Sequence, residues 1–281
     1  MSHPEPPRAR VKTEALIRRM EEMPSHPSVA MRVLWLTDDP RTTIEALAGA
    51  TELDPILAAQ LMRIANSAYY SLRTPVTNVP RAITVLGFST VRALATASVS
   101  GLRSSKHPIP IQFWEHAAAV ANACQLIGGR YDVPSSDAFA LGLLHDLGSG
   151  LLFMADQDAW HTVEEQVDGG GLLEKQLFGV THQDIGARIL EAWRFPRDFV
   201  DAVSRHHHRL ETREPVYARC LIAAELIAEV ALGQVSGVRA ESHRSLLIAD
   251  GFVAGPLERV IERVSFEYRS LSEVLAETED T

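Results

Sequence analysis

Apolar residues recur along this chain at intervals of three and four, and nowhere alternate over a useful length. Leu57, Leu61, Ile64, Ala65 and Ala68 share one face of a helix started by Asp54-Pro55. Asp can cap the free N–H groups of a first turn, and Pro tolerates that position because it has no N–H to satisfy. Val91, Leu94, Ala95, Ser98 and Leu102 repeat the spacing, as do Phe113, Ala117, Val120, Ala121 and Cys124. Between the first two stripes, Leu72 to Pro80 holds two prolines and an asparagine and reads as a loop. Further helices are predicted near residues 137–154, 158–168, 182–194, 197–208, 215–232 and 255–266. Gly148-Ser149-Gly150 and Gly169-Gly170-Gly171 read as turns or helix ends. With no period-2 run to build a strand, the predicted fold class is all-α.

Punctuation divides the chain further. Residues 1–10 are polar and proline-rich and read as a flexible tail, followed by a helical unit over 11–106. Lys106 to Pro110, with two prolines after a polar helix end, is the clearest internal break. A second helical unit is expected over 107–232, with a helical extension over 233–281. Neither a repeat nor a coiled coil is evident.

Composition narrows the function classes. A chain of 281 residues can bury a large core, and 46% hydrophobic with 22% charged residues is ordinary for a globular protein. Only 6% is aromatic, which suits helix better than sheet. The net charge of −9 argues against a general grip on nucleic acid, which needs a basic surface. Cys124 and Cys220 both lie in apolar helical patterns, where cysteine behaves as a small buried hydrophobe, so both are expected to be structural. Met1 to Arg10 lacks the apolar core of a signal peptide, and no stretch reaches the roughly 18 uninterrupted apolar residues of a membrane span. The expectation is a cytoplasmic protein without membrane contact.

The candidate chemistry lies in His116, His145-Asp146, His182 and His206-His207, each on or beside a helical stripe. Taken singly, they have ordinary explanations. His116 falls in line with Phe113 and Val120, and His182 heads the stripe Ile185, Gly186, Ile189, Leu190, Trp193; an inward histidine is more often a hydrogen-bonded core residue than a ligand. Arg205 to His208 suits the negative end of a helix dipole, although Phe199, Val203 and His206 share one face. Asp146 sits within Leu141-Gly142-Leu143-Leu144-His145-Asp146-Leu147, where an ionised carboxylate needs a cation or donors to offset burial. Together, four helices deliver inward imidazole or carboxylate groups, a set that suits Zn, Fe or Mn better than Ca or Mg. The chain builds a metal centre or carries the remains of one.

The order His, His-Asp, His, His-His resembles the HD superfamily of helical metal-dependent phosphohydrolases. Thr181-His182-Gln183-Asp184-Ile185-Gly186, the helix through Trp193, Pro196 and His206-His207 resemble its HDOD branch. Leu61 to Tyr70 (LMRIANSAYY) and Val79 to Leu94 (VPRAITVLGFSTVRAL) are similar to the first subdomain of that branch, so the resemblance runs from about residue 15 to 230. It implies an N-terminal helical subdomain packed on an HD-like helical bundle, and a bacterial signal-transduction role of the response-regulator output type. By position it implies the metal ligands His116, His145, Asp146, His182, His206 and His207, holding one or two divalent transition-metal ions (Fe, Mn or Zn). The superfamily's last ligand is an aspartate on a late helix. Here the matching stretch is Ile222 to Ala228 (IAAELIA), with Glu225 nearest, one methylene longer, and a shift of one residue would leave an alanine. The chain after His208 lacks the Gly-Tyr-Pro segment of cyclic-di-GMP-cleaving relatives. The expected function is therefore regulatory, through binding of a signalling protein partner or a small ligand. The alternative is a metal-dependent phosphohydrolase or nucleotide phosphodiesterase.

Overall fold

In the computed structural model, which describes residues 26–67, 70, 72–102, 109–164 and 170–276, helix follows helix with no strand among the described residues. The expected tail over 1–10, Ala68, Gly169 and the end of the helix expected over 158–168 lie outside the described residues. Among the described residues five helices come first: α1 (Pro27–Asp38), α2 (Ile44–Thr51), α3 (Pro55–Ala65), α4 (Val79–Leu86) and α5 (Phe88–Leu102). After residue 109 come α6 (Ile111–Ile127), a 3₁₀ turn (Gly128–Tyr131), α7 (Ser135–Leu144), α8 (Leu147–Ala155), α9 (Gln157–Glu164) and α10 (Gly170–Leu177). Then follow α11 (His182–Ala192), α12 (Arg197–Arg205), α13 (Val216–Ala231), α14 (Gly237–Ala249) and α15 (Ala254–Ala276).

The starts are chemically marked. Asp54 Oδ1 accepts from the backbone N–H groups of Ile56 and Leu57 at 2.8 and 3.0 Å, and Pro55 opens α3 as expected. A cap of this type contributes about 1 kcal/mol. Asn78 caps α4 and Thr181 caps α11 in the same way. The loop before α4 is closed by Asn66, whose side chain accepts from the Val76 N–H at 2.7 Å and donates to the Val76 carbonyl at 2.9 Å.

One apolar core runs from Val29 on α1 to Val264 on α15, so the first five helices and the later bundle are packed together. Thr77 and Asn78 also donate to Asp137 at the start of α7. Within the bundle α6 and α7 cross unusually closely. A Cβ on Gly142 would stand 2.7 Å from Ala121 Cα, which only glycine avoids. Ser135–Ala155 is apolar enough on average to resemble a membrane span, yet it is broken at His145-Asp146 and 78% of its most apolar window is buried in the protein.

Of the two alternatives read for the glycine runs, the helix end is the one found: Gly148-Ser149-Gly150 lies in the first turn of α8, and Gly170-Gly171 opens α10. Helix α14 lies within the helical extension expected over 233–281, but only Ala240, His243 and Leu247 of its residues are buried, and so thin an apolar stripe does not mark its bounds in the sequence. The last two helices are fastened to the bundle by Asp250. Its carboxylate accepts from Tyr131 Oη at 2.6 Å and from Arg219 at 2.6 Å, while Arg130 donates to its carbonyl at 3.0 Å and covers the Phe252 ring.

Glu52, directly after α2, is half-buried, and desolvation raises its pKa to about 7. The folded state thus binds this proton more tightly than the unfolded chain does, so Glu52 contributes stability at low pH that is lost as pH rises from about 4.5 through 7. Glu52→Gln is expected to raise the thermal midpoint relative to wild type at pH 8 and to change it little at pH 4. Melting curves at the two values check this.

Candidate metal centre

The groups singled out in the sequence come from separate elements and meet inside the bundle. His116 lies on α6, and His145 and Asp146 occupy the break between α7 and α8. His182 is the first residue of α11, His206 and His207 follow the last turn of α12, and Glu225 lies in mid-α13. His145, His206, His182 and Glu225 are buried, while His116 and Asp146 are partly open. Three groups place their ligand atoms within 4.8 Å of one another: His116 with His145 and Asp146; His145 with His206 and Glu225; His182 with His206 and His207.

Local structure aims each ring. His145 Nδ1 donates to the Gly142 carbonyl at 2.6 Å, and His206 Nδ1 donates to the Val203 carbonyl at 2.7 Å. A carbonyl only accepts, so in both neutral rings the hydrogen sits on Nδ1 and Nε2 carries a lone pair. His182 Nδ1 is tied to Glu174 Oε1 at 2.7 Å with the same effect. The Nε2 atoms then face one another: His182 to His206 at 3.2 Å, and His145 to His116 at 3.3 Å. Glu225 Oε1 stands 2.7 Å from His145 Nε2 and 3.4 Å from His116 Nε2, yet it is a buried carboxylate oxygen without a hydrogen bond. Lone pairs and a carboxylate at these separations repel unless positive charge lies among them, as protons or as a metal ion. This donor set therefore fits a divalent ion bound through imidazole and carboxylate.

Charge follows the geometry. Burial works against an imidazolium at His116, but the Glu225 carboxylate outweighs it and raises the His116 pKa to about 9. Burial likewise opposes charge on Glu225, while the rings of His116 and His145 hold its carboxyl well below the ordinary range. His206 is pushed well below the usual histidine range, first by burial and then by His207 and His182. Proton binding at His116 and ion binding would compete for the same acidic partner.

Beside the centre opens a cleft of about 450 Å³. His116, Asp146 and Ser149 reach it from the centre, and Phe113, Phe153 and Trp160 line it. Ser149 donates to Asp146 Oδ1. Glu164 stands in the same wall and accepts from the Trp160 indole at 2.9 Å. Among the described lining residues there is no Lys or Arg.

All seven residues expected as ligands thus fall around one centre, Glu225 included, and the residue offset that would have put alanine there does not occur. Cys124 and Cys220 are buried and free, as expected. Glu174 was overlooked. It shares a helix face with Leu177 and Phe178, an acidic residue in an apolar stripe, which is the signal that would have found it. Gly148 and Gly186 were also read only as local features. A Cβ on Gly148 would overlap the His182 carbonyl and come within 2.9 Å of Ile185 Cγ2, and one on Gly186 would meet Val203 Cγ1 at 3.2 Å. The two glycines let α8 and α11 approach until Asp146 Oδ1 is 3.9 Å from His182 Nε2.

A family model for the HDOD domain matches residues 23–209. The fold is similar to the MmoQ response regulator of Methylococcus capsulatus, with a TM-score of 0.70 and 28% identity, over 85% of this chain and 97% of that one. It is also similar to a virulence factor of Campylobacter jejuni, with a TM-score of 0.69 over 91% of this chain and 96% of that one; at 19% identity this likeness concerns the fold alone. An uncharacterized protein of Treponema pallidum is 20% identical over 217 residues, covering 73% of this chain and 42% of the relative. The chain thus spans less than half the length of that curated relative.

Gly148→Ala is expected to destabilise the protein by roughly 1–3 kcal/mol, the usual cost of overpacking a close contact. Urea unfolding of the variant beside wild type measures the loss, and an unchanged midpoint would show that α8 and α11 tolerate separation.

Proposed function

This chain belongs to the HDOD domain family, and from that premise we propose that it is a bacterial signalling output module with a metal-binding core. It acts by binding a partner protein or a small ligand, with the cleft beside the centre as the contact point. The observation that carries the metal reading is the convergence of the His145 and His116 Nε2 atoms on the buried Oε1 of Glu225, at 2.7 and 3.4 Å. His116, His145, Asp146, His182, His206, His207 and Glu225 would hold one or two divalent ions (Fe, Mn or Zn). Such an ion supplies a fixed positive charge and a Lewis acid. The likeness to a protein described as a response regulator supports the signalling role. The reading places the protein in the cytoplasm. It also treats 11–106 as an N-terminal subdomain, 107–232 as the HD-like bundle and 233–281 as an extension.

Binding is favoured over turnover by the cleft wall. A phosphoester brings negative charge, and the described lining offers no Lys or Arg to share it, while Glu164 adds a carboxylate. A second reading, a metal-dependent phosphohydrolase or nucleotide phosphodiesterase, is favoured by the ligand set, in which Glu225 stands where a last carboxylate is needed. In that case His116 and Asp146 would orient the substrate at the cleft, and Ser149 would hold Asp146 in place.

Elemental analysis of protein purified without chelators, beside an Asp146→Ala variant, tests the metal reading. One or two transition-metal ions per chain in wild type, reduced in the variant, are expected; absence from folded wild type would overturn it. Hydrolysis of nucleotides or phosphoesters by the metal-loaded protein would select the second reading.

A further inference from the structure

Glu174 is buried on α10, eight residues before His182, and both of its oxygens are spent on that one histidine. Oε2 accepts the His182 backbone N–H at 2.7 Å, and Oε1 accepts from ring Nδ1 at 2.7 Å. Two other rings of the centre with anchored Nδ1 atoms, His145 and His206, each use a backbone carbonyl three residues back, within their own helix ends. His182 has no such local acceptor, because it is the first residue of its helix and no preceding turn exists to offer a carbonyl. A carboxylate brought from another helix takes that place.

We infer that Glu174 is the positioning residue of the centre: it keeps the hydrogen of His182 on Nδ1 and thereby turns the Nε2 lone pair toward His206 and Asp146. The two-point grip fixes the ring plane as well as the tautomer, since backbone and ring donors of one residue are held by one rigid carboxylate. Glu174 itself does not reach the cleft or the other ligand atoms, so it acts through His182. Partners of this kind strengthen metal binding by about 10–100-fold when they orient and enrich a ligating imidazole. The affinity part of this inference rests on the metal reading above; the tautomer part does not.

Glu174→Gln separates the two. A glutamine keeps the size, but its one oxygen can serve only one of the two donors, and its NH₂ group then faces the other site. With the oxygen on the backbone N–H, the amide NH₂ donates to Nδ1 and drives the ring hydrogen to Nε2, where it blocks the ligand position. Burial opposes charge on His182, but its bond to Glu174 raises the ring's pKa. Nitrogen-15 NMR of the metal-free protein, taken at a pH alkaline enough to leave the ring neutral, is therefore expected to show His182 with hydrogen on Nδ1 in wild type and on Nε2 in Glu174→Gln. Glu174→Asp, which retains a carboxylate, is expected to restore the wild-type tautomer in part. Titration with Zn²⁺ is expected to show affinity about 10–100-fold weaker in Glu174→Gln. An unaltered His182 tautomer in a folded Glu174→Gln protein would overturn the inference. If wild type binds no Zn²⁺ but the tautomer still switches, the metal reading fails while the role of Glu174 stands.

Discussion

Like-signed electron density held at close range is the constraint on which this structure turns. Imidazole lone pairs and a carboxylate oxygen are gathered within hydrogen-bonding distance, and their back sides are tied to carbonyls and to Glu174 so that they cannot turn away. Positive charge must lie among them. In the absence of an ion the proton on His116 and the carboxylate of Glu225 supply a partial answer, which is why His116 holds its proton so firmly. Helix ends do most of the aiming. His182 is the first residue of α11, and His145 and His206 directly follow the last residues of α7 and α12, at helix ends where backbone groups are free to anchor a ring.

The scaffold provides these positions by letting helices come unusually close. Gly142 lets α7 lie against α6, and Gly148 and Gly186 let α8 lie against α11. The first contact brings His145 to the helix that carries His116, and the second brings Asp146 to His182. The apolar cluster around them is continuous from the first helix to the last, so the centre is set within a shared core and not at a loose seam.

Much of this was legible in the sequence, for identifiable reasons. The stripes of Leu57 to Ala65 and Phe113 to Cys124 have strong helical spacing, and Asp54-Pro55 marks a start by local chemistry alone. The histidines were found because they sit in line with apolar neighbours. What escaped was set by contact between segments. Gly148 carries a local signal of a turn or helix end, and only its contact with α11 shows that a side chain there would overlap the His182 carbonyl. Glu174 lies far from its histidine in function though near it in sequence, and nothing in its own stretch shows that both its oxygens are used. The register of Glu225 could not be read from IAAELIA, since only packing against α6 decides which residue faces His116 and His145.

The HDOD match ends at residue 209, before α13 begins. Glu225 therefore lies outside the recognised segment while completing the ligand cluster inside it. The same helix carries Arg219, which grips Asp250 in the closing part of the chain. The structural unit is thus longer than the segment by which its kinship is recognised. A boundary drawn from kinship alone would divide the cluster, leaving five histidines without Glu225, the acid that balances them.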